Sequence, residues 1–88
     1  LISVQSKKIK LSNKTITVYR FEPLIINDFK SPDYKKMIIY FSNEIGLIER
    51  LFTDSYINEK DLKISIKSTN LLSNKELIKL KSNISTFK

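Results

Sequence analysis

The chain contains no cysteine, histidine, tryptophan or alanine, and it has one glycine and two prolines. Each absence closes a route. Without cysteine, neither disulfides nor thiolate metal ligands can add stability. Without histidine, the commonest general base and most transition-metal sites are missing as well. A single glycine, Gly46, cannot build a phosphate-cradling loop of the P-loop or dinucleotide kind, both of which need several. No apolar run approaches the roughly 18 residues of a membrane span, and no basic segment leads into a hydrophobic stretch with a small-residue cleavage site. The chain is therefore expected to be soluble, non-enzymatic and free of cofactors and metals. A start at Leu1 points to processing, an unusual start codon or an upstream beginning.

Positive charge is abundant, with a formal net charge of +7 and a pI near 9.7. A basic balance of this kind favours polyanions. Residues 1–20 carry five basic side chains and no acidic one, residues 21–59 four basic and seven acidic, and residues 60–88 seven basic and two acidic. The ends thus suit phosphate, and the middle suits protein. Lysine outnumbers arginine fourteen to two, and Lys, Ile, Asn, Phe and Tyr supply 44 of the 88 residues. Those amino acids have AT-rich codons, so an AT-rich genome, such as an organelle's, accounts for part of the lysine excess. At this length one domain is expected, burying only about 60 to 65% of the surface its unfolded chain exposes. Partner contacts are the natural supplement to so thin a core.

Ile9 and Leu11 flank Ser12-Asn13-Lys14 on one side, and Ile16 and Val18 on the other, a pattern that predicts a hairpin. Pro23 then limits pairing of the second strand. Ser31, Pro32 and Asp33 read as N-cap, first helical position and first turn. Tyr34, Met37, Ile38, Phe41, Ile45, Ile48 and Phe52 follow at steps of three or four, which predicts a helical face to about residue 53. Gly46 lies within it at a cost of about 1 kcal/mol against alanine. Leu62, Ile64 and Ile66 alternate with Lys63, Ser65 and Lys67. Period two predicts an extended segment with its lysines turned away from the apolar side. Ser73 and Glu76 form a capping box, opening a helix over about 74–83 with Leu77, Leu80 and Ile84 on one face. Tyr19, Phe21, Tyr34, Tyr40, Phe41, Phe52 and Tyr56 fall mostly on apolar stripes and read as core rather than base-stacking residues.

Two constellations remain. Asp54, Glu59 and Asp61 lie within eight residues and could in principle pair as a hydrolytic site. Lys60 and Lys63 lie among them, and a solvated, partly paired face is the better reading. Lys60, Lys63, Lys67, Lys75, Lys79, Lys81 and Lys88 make the last third basic. An anion near Thr69 to Lys75 would meet both ammonium groups and a helix N-terminus. A lysine face kept merely for solvation, under AT-rich mutation pressure, is an equal alternative on charge alone.

Residues 56–88 resemble the eighteenth protein of the small ribosomal subunit, of the bacterial and organellar type. "YINEKDLKI" is similar to the family's aromatic helix end and lysine-isoleucine step, through Tyr56, Ile57, Glu59, Lys63 and Ile64. "SIKSTN" stands where the family has a proline, arginines and a threonine-glycine turn, keeping Lys67 and Thr69, with Asn70 at the glycine. "LLSNKELIKLKSNIS" resembles the final helix, with Ser73 at its cap, Lys75 near its start, Lys79 and Leu80 in its middle and Ile84 beyond. "DYKK" at 33–36 is similar to the opening of the family's first helix. Ser65 replaces the proline, Ile66 replaces an arginine, the arginine-rich end is reduced to "STFK", and residues 1–30 align with nothing.

The resemblance implies no catalytic residues, contact with small-subunit ribosomal RNA on the platform, and packing against the sixth small-subunit protein. With the residue-level reading it gives an α+β expectation: an N-terminal hairpin or extended arm (1–30), then a small helical RNA-binding domain (31–88) comprising a central helical region, an extended basic segment and a short C-terminal helix. The expected RNA contacts are Lys63, Lys67, Thr69, Asn70, Ser73, Lys75 and Lys79. The expected setting is a mitochondrial ribosome, or else the ribosome of a plastid or an AT-rich bacterium. The alternative is a non-enzymatic interaction subunit of a secretion, conjugation or phage assembly.

Overall fold

The computed structural model describes residues 4–23, 34–55, 57 and 60–86. Five strands run in chain order: β1 (Val4–Lys10), β2 (Thr15–Phe21), β3 (Tyr34–Ser42), β4 (Gly46–Ser55) and β5 (Leu62–Ser65). They form one antiparallel sheet in the order β1-β2-β3-β4-β5. A single helix, α1 (Asn74–Ser85), follows.

This overturns the expected α+β arrangement with a central helical region. The stretch from Tyr34 to Ser55, expected as a helix, is the β3–β4 hairpin. Tyr34 and Lys36, where the family resemblance implies the opening of a helix, lie in β3; the proposed cap residues Ser31, Pro32 and Asp33 fall outside the described residues. Nor is the first hairpin a separate arm, because β2 pairs with β3 from Val18↔Ser42 to Phe21↔Ile39.

The reason is visible at residues 37–46. Met37-Ile38-Ile39-Tyr40-Phe41 is a continuous apolar run, which satisfies helical and extended periodicities equally. Its β-branched and aromatic residues favour the pleated form. Chain reversal then decides the matter. Ile45 N donates to the buried Ser42 Oγ at 2.9 Å, and Gly46 takes φ +92°, a conformation that glycine enters without the Cβ penalty. Ser42↔Gly46 closes the hairpin around Asn43, Glu44 and Ile45. The register slips between Tyr40↔Glu49 and Phe41↔Leu47, so Ile48 is the extra residue of a β-bulge. Both Ile48 and Glu49 are buried.

One face of the sheet carries the core. Ile9, Leu11, Ile16, Val18, Ile38, Tyr40 and Ile48 pack with Leu72, Leu77, Leu80 and Ile84 from the C-terminal segment, and Ile45, Leu51 and Ile66 close its margin. Phe52, buried but outside that cluster, sets its ring 5.9 Å from that of Tyr34. Arg20, Glu22 and Lys36 form a small ion-pair group, Arg20 to Glu22 at 3.2 Å and Lys36 to Glu22 at 3.7 Å.

Leu80 is fully buried at the helix–sheet contact, so Leu80→Ala should cost about 2 to 4 kcal/mol. Gly46→Ala meets no atom within 4 Å, yet it should cost about 1 to 2 kcal/mol because the positive φ penalises any Cβ. Urea denaturation followed by circular dichroism measures both.

Candidate RNA interface

The lysine-bearing C-terminal third is built by three local devices. In β5, Lys63 lies opposite Leu51 and Ile64 opposite Arg50. Leu51 borders the core, so Lys63 is on the helix-bearing side of the sheet and Leu62 and Ile64 are on the other. That reverses the expected orientation. Leu62 and Ile64 are the exposed apolar residues of this strand, and only Ile66, just beyond it, packs inward. Ile66 N donates to Ile48 O at 3.0 Å, holding the chain as it leaves the sheet.

Next comes the turn at 69–72. Thr69 bridges Leu72, and Thr69 Oγ1 accepts from Leu71 N at 3.3 Å. Leu72 is buried, while Asn70 and Leu71 are exposed. Two lysines are spent tethering this segment. Lys14 Nζ donates to Leu71 O at 3.0 Å, and Lys81 Nζ donates to Ile66 O. Lys81, half-buried, thereby becomes a structural strut between α1 and the segment after β5.

The third device is the helix start. Glu76 N donates to Ser73 Oγ at 3.2 Å, Ser73 N donates to Glu76 Oε1 at 3.0 Å, and Leu77 N donates to Ser73 O at 2.9 Å. Both halves of the capping box are made. The consequence for anion binding is unfavourable, because the Glu76 carboxylate already occupies the positive end of the helix that a phosphate would seek. Ser73 is thus a cap first, and an RNA contact there would have to be made by its neighbours.

Lys63, Lys67, Asn70, Ser73, Lys75 and Lys79 are exposed and Thr69 is half-buried, but the seven do not form one cluster. Lys75 and Lys79 line a groove of about 390 Å³ together with Ser12, Glu76, Ile78 and Ser82, between α1 and the β1–β2 turn. Lys63 belongs to β5, the opposite edge strand from β1. A ligand touching both would have to be extended, as a nucleic-acid backbone is. The helix's outer side also shows Ile78, 70% exposed, between the two lysines.

Asp54 and Asp61 are exposed, and Glu59 falls outside the described residues. Among the described residues no three acidic, histidine or cysteine side chains gather as a metal site, and no helix is long and apolar enough to cross a membrane. The seven expected contacts leave out a second basic group. Register places Lys8 opposite Thr17, Lys10 opposite Thr15 and Arg50 between Ile39 and Ile64, all on the face away from α1. The run of five bases without an acid in residues 1–20 was the available signal.

No family model matches the chain, and neither the curated proteins nor the solved structures contain a match to it.

Ser73→Ala removes a completed cap and should cost about 1 kcal/mol, read as a lower urea midpoint with native secondary structure retained. Adding inorganic phosphate should leave the amide resonances of Asn74 and Lys75 unmoved in the wild type, because Glu76 holds the site.

Proposed function

We propose that this chain is a non-catalytic RNA-binding subunit of a ribonucleoprotein assembly. The small ribosomal subunit, mitochondrial in the first instance, is the assembly that the sequence resemblance suggests. The observation that carries the reading is how the lysines divide. Lys14 and Lys81 are engaged with backbone carbonyls, whereas Lys63, Lys67, Lys75 and Lys79 stand exposed and form no ion pair among the described residues. Solvated ammonium groups spread along one side of a small scaffold neutralise phosphate without reading bases. It suits a subunit that recognises RNA by backbone and shape, the mode open to double-stranded regions. Among the described residues the aromatic side chains lie in the strands rather than beside these lysines, which favours contact with the backbone over base stacking.

The resemblance adds the setting and no more than that. Its final helix coincides with α1, while its first helix coincides with strand β3. RNA contact therefore rests on the lysines, and the ribosomal setting on the matching residues between 56 and 88. A second reading, an interaction subunit of another assembly, is favoured by one observation: the sheet face opposite α1 carries an apolar centre around Phe21, Ile39, Phe41 and Leu47.

Four lysines that each neutralise one phosphate give a salt slope of about 3 in log affinity against log salt. Replacing Lys67 and Lys79 by glutamate should weaken retention of structured ribosomal RNA on filters and flatten that slope by about 2. Binding that is unchanged across the salt series would remove these lysines from the interface.

A further inference from the structure

The sheet face turned away from α1 carries apolar side chains where a solvated antiparallel sheet places polar ones. Register defines it. Val4 lies opposite Phe21, Phe21 opposite Ile39, Ile39 opposite Arg50, and Arg50 opposite Ile64, one row crossing the sheet from edge to edge. Tyr19 lies opposite Phe41, and Phe41 opposite Leu47, forming a second row. Leu62, opposite the buried Phe52, extends the face in a third. These residues alternate with Ile38, Tyr40 and Leu51, which pack on the helix side, so their side chains point the other way. Val4, Ile64 and Leu62 are 54, 48 and 46% exposed. A continuous exposed patch of this kind marks an interaction site rather than a free surface.

Charge selects the occupant. Lys8 and Lys10 lie on this face along β1, and Arg50 interrupts its first row. The nearby carboxylates are turned away: Glu22 pairs with Arg20 and Lys36, and Glu49, opposite Tyr40, is buried. Asp54 at the far end of β4, Glu44 in the β3–β4 turn and Asp61 just before β5 are the exposed carboxylates at the margin of the face, whereas Arg50 alone carries charge inside the first row. Nucleic acid fits less well: Tyr19, Phe21 and Phe41 offer rings for stacking, but the most exposed residues of the face, Val4, Leu62 and Ile64, are aliphatic and present neither a ring to a base nor a charge to a phosphate. A second copy of the chain fits poorly too, because an isologous contact centred on this face would bring two Arg50 guanidiniums together. Addition of a strand at an edge is opposed by Lys7, Lys8 and Lys10 on β1 and by the four-residue length of β5, the usual protection of exposed edges.

We infer that this face docks an amphipathic helix of a partner protein whose apolar stripe is flanked by carboxylates. The stripe covers Phe21, Ile39, Phe41 and Ile64, and the carboxylates meet Arg50, Lys8 and Lys10. This inference concerns the face opposite the exposed helix-side lysines and stands whether or not they bind RNA.

The test uses the whole chain and two labelled synthetic helices, with leucines at i, i+3, i+4 and i+7 and either glutamates or lysines flanking them, read by fluorescence anisotropy. The acidic helix should bind saturably and the basic one should not. Ile64→Lys and Arg50→Glu should each weaken the acidic helix about tenfold or more, with thermal melting unchanged. Lys8→Glu with Lys10→Glu should weaken it in the same direction should either of those variants melt early. Lys79→Glu should leave it unaltered. Equal binding of the two helices, or binding indifferent to these substitutions in folded protein, overturns the inference. So does oligouridylate that displaces the acidic helix and crosslinks to Phe41. A dimer in sedimentation equilibrium that Ile64→Lys abolishes overturns it in favour of self-association.

Discussion

The burial of Leu77, Leu80 and Ile84 against Ile9, Leu11, Ile16 and Val18 is the contact on which the rest of the molecule depends. A twelve-residue helix is marginal in water, since its nucleation cost exceeds what so few propagation steps return. A five-stranded sheet with nothing on either face would have no core at all. Each layer therefore supplies what the other lacks. The polar contacts around this seam act as tethers: Lys81 to Ile66 O, Lys14 to Leu71 O, and Ile66 N to Ile48 O hold the C-terminal segment over the sheet so that the helix returns in register.

One helix covers one face, and the asymmetry that follows has functional meaning. The helix-bearing side carries the buried core, with Lys67, Lys75 and Lys79 exposed outside it. The other side is an apolar sheet surface with a basic margin. A domain of this size buries too small a share of its surface to be comfortable alone, and a second layer contributed by a partner would complete a three-layer sandwich. The charge division along the chain acquires a spatial sense here. The basic N-terminal run contributes Lys8 and Lys10 to the open face, and the basic C-terminal third contributes to the side bearing the helix.

Local chemistry was legible in the sequence wherever it was encoded by neighbours in the chain. Ser73 and Glu76 specify their reciprocal cap by spacing alone, and Leu77, Leu80 and Ile84 specify the buried side of α1. The turn at Ser12-Asn13-Lys14 was similarly readable, and Leu11 N donates to Lys14 O there at 2.8 Å. The segment from Tyr34 to Ser55 was not. Met37 to Phe41 is apolar at every position because β3 is central in the sheet and has apolar neighbours on both faces, so no period stands out. The reversal was written instead in Ser42 and Gly46, two residues whose roles depend on a hydroxyl acceptor and a positive φ. The orientation of β5 failed for a related reason: alternation tells which residues share a face, not which face is inward, and the strand turns Leu62 and Ile64 outward while Ile66 alone reaches the core. Lysine counting found the basic third but could not separate Lys14 and Lys81, which serve as tethers, from Lys67, Lys75 and Lys79. That distinction depends on carbonyls brought near by the fold.

On the proposed function, the chain is a two-sided wedge in a ribonucleoprotein particle, meeting RNA through lysines on one side and protein through its open sheet. Sedimentation of the tagged chain from its native cells, with and without ribonuclease and across a salt series, tests that claim most directly. The account predicts that the chain travels with the small ribosomal subunit, leaves it progressively as salt rises, and is released when the RNA is digested. A chain that stays in a particle of unchanged size after complete ribonuclease digestion would contradict it.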